Sequence, residues 1–148
     1  MSRAGQIEVI EVEPVPAVAL GRSTSVDRFA QVVEQGLARV RAAVTAARVP
    51  TAGAPFVRFT DRAEPIAVDI GIPLTGAHSV PTLRSTILPG GKAASRWHDG
   101  DVAGLVTALD EMQRDVGSDA AGHPWARLWP GTAHDEPGIQ LVWPLRSR

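Results

Sequence analysis

Ile7 to Leu20 is rich in valine and isoleucine, with glutamates interleaved as far as Glu13, and this predicts a strand. The period then changes. Phe29, Val33, Leu37, Val40 and Val44 fall at helical spacing, so Val26 to Arg48 reads as an amphipathic helix. Thr24 and Asp27 resemble a capping box before it, and Pro50 and Gly53 end it. Phe56 to Thr60 and Ile66 to Ile72 return to strand character. The order then recurs. Leu83 to Trp97 contains strand, with Pro89-Gly90-Gly91 as a turn or bulge. Val102, Leu105, Val106, Leu109, Met112 and Val116 predict a second helix capped by Asp99 or Asp101, and Trp125 to Trp129 and Ile139 to Trp143 are two further strands.

This recurrence is an internal repeat. AGAPFVRF at 52–59 matches AGHPWARL at 121–128, and EPIAVDIGIPL at 64–74 matches EPGIQLVWPL at 136–145. Val15-Pro16 and Leu88-Pro89 each precede a strand and a helix. The offset is 73 at those prolines and 69 at the Ala-Gly-x-Pro points, so the second copy is expected to be shorter by about one helical turn. The plan is βαββ twice, module one about 7–75 and module two about 82–145 of a single domain over 1–148, joined by Gly76 to Pro81. One unit cannot cover both faces of its own sheet. Two side by side give an α+β fold with one curved, mostly antiparallel sheet and both helices on one face. A ligand cleft then falls at the pseudo-two-fold axis.

Composition narrows the chemistry. Apolar residues are 44% and charged residues 21% of 148, the balance of a folded soluble domain. The net charge of -1 gives no basic field for nucleic acid or an anionic membrane. Cysteine is absent, which excludes disulfides, thiolate metal sites and a cysteine nucleophile. No apolar run approaches the ~20 residues of a membrane span. Met1 to Glu13 lacks the layout of a signal peptide, so a cytoplasmic location is expected.

The duplicated βαββ order resembles the GyrI-like small-molecule-binding domain, the effector-binding domain of bacterial transcription regulators, here as a stand-alone member. LPGGKAASRWHDGDVAGL at 88–105 resembles the family's Leu-Pro-x-Gly-x-x-Ala strand running into His-x-Gly, here His98-Asp99-Gly100. AGHPWARLW at 121–129 resembles its Gly-x-Pro-Trp-Glu-x-Tyr strand, with Trp125 matched but Ala126 and Leu128 standing for the acid and the tyrosine. IQLVWPL at 139–145 resembles the last strand, with Gln140 where an acid is common, and Val102 takes another tyrosine position. The resemblance implies a sensor of a multidrug-like ligand, in which a buried carboxylate and aromatics hold planar cations. Gln140 supplies no charge, Asp69 holds the equivalent place in copy one, and tyrosine is absent from the whole chain. A more apolar cleft with weaker preference for cations is expected, with Phe59, Asp69, Trp97, Trp125, Leu128, Trp129, Gln140 and Trp143 as its ligand-binding residues.

Each of these has a plainer reading. Strand alternation separates lining from core: with Gln140 in the cleft, Val142 joins it and Trp143 points to the helices, and Leu128 and Trp129 take opposite faces. Asp69, in the apolar run IAVDIGIP, either faces the cleft or pairs with Arg58 or Arg127. His78, His98, His123 and His134 lack metal-ligand spacing, even with Asp135 or Glu136 added, so no metal and no cofactor is expected; a haem reading would need His78, His98 or His134. Arg39, Arg41 and Arg48 are too few beside Asp27 and Glu34 for a nucleic-acid surface. No residue is assigned a catalytic role. Two alternatives stand beside ligand binding. One is a hydrolase of reactive small molecules with Asp69 as general base. The other is a protein-interaction module that docks a protein target, a regulator partner or a second copy through exposed strand edges.

Overall fold

The computed structural model describes residues 5–131 and 137–146. His134, Asp135 and Glu136, the last of them the first residue of the second repeat motif, lie outside the described residues. Eight strands form one antiparallel sheet: β1 (Glu8–Val12), β2 (Val15–Thr24), β3 (Phe56–Asp61), β4 (Ile66–Pro73), β5 (Arg84–Leu88), β6 (Gly91–His98), β7 (Trp125–Trp129) and β8 (Gly138–Pro144). Helices α1 (Phe29–Ala47) and α2 (Leu105–Val116) each follow a short 3₁₀ turn. The spatial order is β1-β6-β8-β7-β3-β4-β2-β5.

That order carries a pseudo-two-fold axis between β3 and β7. It also departs from the simple plan at both edges. The stretch from Ile7 to Leu20 is two strands, because Pro14 has no N–H to continue a ladder. β1 crosses to pair with β6, and β5 crosses back to pair with β2. Each half of the sheet therefore takes its edge strand from the other half of the sequence. The registers also correct the repeat. Ala17 faces Pro73 and Ala93 faces Pro144, so Pro16 corresponds to Lys92 rather than Pro89. The length difference sits in the helices, 19 residues in α1 against 12 in α2, and is two turns rather than one.

The Ala-Gly-x-Pro motifs build the central seam. Gly53 and Gly122 adopt φ of 70° and 62°, a left-handed backbone that suits glycine before each strand. The Pro55 carbonyl accepts from Leu128 N at 2.8 Å and the Pro124 carbonyl from Phe59 N at 2.9 Å. Between these bonds Phe56, Val57 and Arg58 pair with Arg127, Ala126 and Trp125.

Both helices pack on one face, over Val57, Phe59, Val68, Ile70, Ala126, Leu141 and Trp143. The predicted helical stripe Phe29, Val33, Leu37, Val40 and Val44 is buried throughout. The capping box does not form. Val26 N donates instead to Glu64 Oε1 at 2.7 Å, from the β3–β4 turn, and Asp101 precedes the second helix without a side-chain cap bond. Arg62, from the same turn, donates to Asp110 of α2 at 3.0 Å and lies over the Trp143 ring. No helix among the described residues is long and apolar enough to cross a membrane.

Close approach fixes two glycines. A Cβ on Gly71 would lie 2.4 Å from the Val18 carbonyl oxygen and 2.6 Å from Phe56 Cζ. One on Gly36 would meet the mobile tip of Ile70 at 2.5 Å, and alanine gains helix propensity there. Gly71→Ala is expected to destabilise by about 1–3 kcal/mol, and Gly36→Ala by clearly less, as read by urea unfolding. Equal costs would mean that β4 yields to the added methyl.

Candidate functional site

The face away from the helices is set by strand alternation. It carries Ala17, Ala19 and Gly21 on β2, Phe56 and Arg58 on β3, and Asp69 and Gly71 on β4. On the other side it carries Ala93, Ser95 and Trp97 on β6, Trp125, Arg127 and Trp129 on β7, and Gln140 and Val142 on β8. The sheet curls about this face. The turns that follow the two edge strands touch, since a Cβ on Gly90 would sit 2.5 Å from Pro14 Cδ. Beneath them a second apolar core gathers Ala17, Ala19, Phe56, Leu88, Ala93, Trp125 and Val142, with Ile10, Val12 and Val15 against it. The floor at the axis is thus filled, chiefly by Trp125 and Phe56, which are 1% and 0% exposed.

Two polar corners flank this floor, related by the pseudo-two-fold. In the first, Arg58 faces Asp69 across β3 and β4. Arg58 Nη2 donates to Asp69 Oδ2 at 3.1 Å and to Thr86 Oγ1 at 3.0 Å, and Arg84 Nη2 donates to Asp69 Oδ1 at 2.5 Å. Asp69 therefore satisfies both expectations, on the open face and paired, but its partners are Arg58 and Arg84 and not Arg127. Burial makes this ion pair structural, because a carboxylate out of water needs its counter-charge.

The second corner has the same frame and different chemistry. Arg127 faces Gln140 as Arg58 faces Asp69. The Gln140 amide is engaged on both sides: Oε1 accepts from Trp129 Nε1 at 3.0 Å, and Nε2 donates to Ser95 Oγ at 2.9 Å. Trp97 stands beside Gln140 on β6. Trp97, Arg127, Trp129 and Gln140 are each half-buried. The Arg127 side chain makes no hydrogen bond or ion pair with any described residue, and burial lowers its pKa from the ordinary guanidinium range. Trp125 Nε1 and Arg58 Nε are buried donors without an acceptor.

The candidate residues separate by face. Asp69, Trp97, Trp125, Trp129 and Gln140 lie on the open face. Phe59, Leu128 and Trp143 do not. They pack under the helices, because alternation sends them opposite to Arg58, Trp129 and Val142. Ala126 and Leu128, where the resemblance placed an acid and a tyrosine, are on that covered side too. Arg84 and Ser95 were missed, since neither sits in the repeat motifs. His98 closes its own turn, donating from Nε2 to the Asp101 carbonyl at 2.8 Å. No group of three or more metal-ligating side chains forms among the described residues. A cavity of about 470 Å³ opens at the strand ends beside Trp129, lined also by His98, Leu128, Gly138 and Ile139.

No protein-family model matches the chain, and no curated protein matches it in sequence. Solved structures do match in fold. The EcmrR C-terminal domain superposes with a TM-score of 0.78 at 11% identity, covering 97% of this chain and 98% of that one. In an EcmrR–DNA complex the matched part is 58% of the longer chain. SAV2435 bound to tetraphenylphosphonium superposes at 0.63 with 13% identity, over 97% and 95% of the two chains. A hydrolase from Listeria innocua also gives 0.63, at 11% identity over 98% and 94%.

The two arginines on Asp69 differ in exposure, 15% for the Arg58 side chain and 61% for Arg84. Asp69→Asn is expected to cost about 3–5 kcal/mol, since it strands a buried guanidinium, and Arg84→Gln under about 1 kcal/mol. Denaturant titration of the two variants checks this ranking, and the reverse order would make the Arg58 contact incidental.

Proposed function

We propose that this chain, which has the fold of the GyrI-like effector-binding domains, is a protein that binds or senses a small, largely apolar or aromatic molecule on the open face of its sheet. The observation that carries the reading is the second corner. Two half-buried tryptophans, Trp97 and Trp129, stand beside Gln140 and Arg127 on a face that no helix covers. Aromatic walls with a few polar groups are the make-up of a ligand site. The same fold in SAV2435 with bound tetraphenylphosphonium supports it. The ligand would lie against the tryptophan faces and be oriented by Gln140. Asp69 would hold the frame rather than touch the ligand, because both its oxygens already accept from guanidinium groups. That also argues against Asp69 as the general base of a hydrolase, which needs an oxygen free to take a proton.

The partner in the cell would be the small molecule. By analogy with the EcmrR chain, a DNA-binding regulator could carry the response onward, in the bacterial cytoplasm. Docking through strand edges is less favoured: the edge strands are five residues each and carry Glu8, Glu11 and Arg84, features that discourage edge pairing.

Tryptophan fluorescence tests the proposal against naphthalene-2-carboxamide, tetraphenylphosphonium and haem. Saturable quenching by the neutral aromatic is expected, weakened about threefold to tenfold in Trp129→Ala by loss of ring contact. No saturable response to any probe would overturn ligand binding and favour the interaction module.

A further inference from the structure

We propose that the second corner takes the oxyanion of an organic acid, with Arg127 as its anchor and Trp97 and Trp129 against the apolar body. This rests on the small-molecule reading and names the class of ligand. The argument comes from comparing the two corners. In the first, the arginine facing outward from the seam meets a carboxylate, and a second arginine completes the cluster. In the second, the equivalent of that carboxylate is Gln140, whose oxygen is already committed to Trp129. Arg127 keeps its charge in a half-buried place with no counter-charge among the described residues. A desolvated guanidinium without a partner is costly, and an incoming carboxylate supplies both charge and a planar pair of acceptors.

The hydrogen-bond inventory of the face points the same way. Its acceptors other than the exposed Glu8 carboxylate are used: both Asp69 oxygens, Gln140 Oε1, Ser95 Oγ and Thr86 Oγ1 all receive a donor. Its remaining groups are donors. They are Arg127, the buried Nε of Arg58 and the buried indole N–H of Trp125, two residues before Arg127 on the same strand face. Among the described residues the ionisable side chains on this face are Arg58, Arg84 and Asp69 in the first corner and Arg127 and the exposed Glu8 of the edge strand β1, at the place of Arg84, in the second. Glu8 makes no ion pair with any described residue. A corner whose half-buried guanidinium has no ion-pair partner among the described residues, and whose amide acceptor is already used, selects an electron-rich anionic group over a cation.

Three probes of one ring size separate the outcomes: naphthalene-2-carboxylate, naphthalene-2-carboxamide and 2-naphthylmethylammonium, titrated by tryptophan fluorescence at fixed ionic strength. The carboxylate is expected to bind about tenfold more tightly than the carboxamide, with the ammonium weakest. Arg127→Gln should abolish the carboxylate preference and leave carboxamide affinity within about threefold. Gln140→Glu gives the second corner the acid of the first and keeps the arginine. It should also abolish the preference and favour the ammonium, which guards against Arg127→Gln failing to fold. Equal binding of carboxylate and carboxamide by the unaltered protein, or a carboxylate preference that survives both substitutions, would overturn the anion assignment and leave small-molecule binding standing. No binding of any of the three would overturn both.

Discussion

Three residue pairs between β3 and β7 join the two halves of the sheet, and the rest of the molecule hangs from them. The seam is short because each strand is led in by a proline, which ends the ladder on one side while its carbonyl still accepts from across the axis. This pairing sets Arg58 beside Trp125 and Phe56 beside Arg127. One register step would turn each of these to the opposite face, because side chains alternate with a period of two. The floor of the open face, the two polar corners and the covered core are all consequences of that single register.

Duplication then lets one frame carry two chemistries. The same pair of strand positions holds an arginine and an acid in one half and an arginine and an amide in the other. The first is closed electrostatically and stiffens the β3–β4–β2–β5 side, where a guanidinium from the crossing strand β5 reaches in. The second is held by neutral hydrogen bonds that tie β7, β8 and β6 through Trp129, Gln140 and Ser95. One backbone frame thus carries an ion-paired corner and a corner held by neutral hydrogen bonds, with few side-chain differences between them.

The exchange of edge strands has a physical use. β1 and β5 wrap the sheet until their turns touch, which buries Leu88 and packs the partly buried Ile10 and Val12 against the core of Phe56 and Trp125. A sheet with helices on one face alone would otherwise expose its second apolar side. Covering the centre and leaving the corners keeps that side stable and still accessible.

The two helices, the four strands around them and the duplication were legible in the sequence, because an amphipathic period and a recurring Ala-Gly-x-Pro are local properties of the chain. Once Gln140 is on the open face, alternation puts Val142 with it and Trp143 under the helices, against the expectation that Trp143 lines the cleft. The faces of Phe59 and Leu128 were not legible, since the absolute face of a strand depends on the side from which the helices pack. The crossing of β1 and β5, the two-turn difference between the helices and the reach of Arg84 to Asp69 are long-range matters. No local pattern encodes which distant strand pairs with which. Tertiary structure alone decided that Asp69 pairs with Arg58 and Arg84 and that Arg127, the counterpart of Arg58, meets no counter-charge among the described residues: a charge's partner is fixed by the three-dimensional register, and the sequence names only the charges.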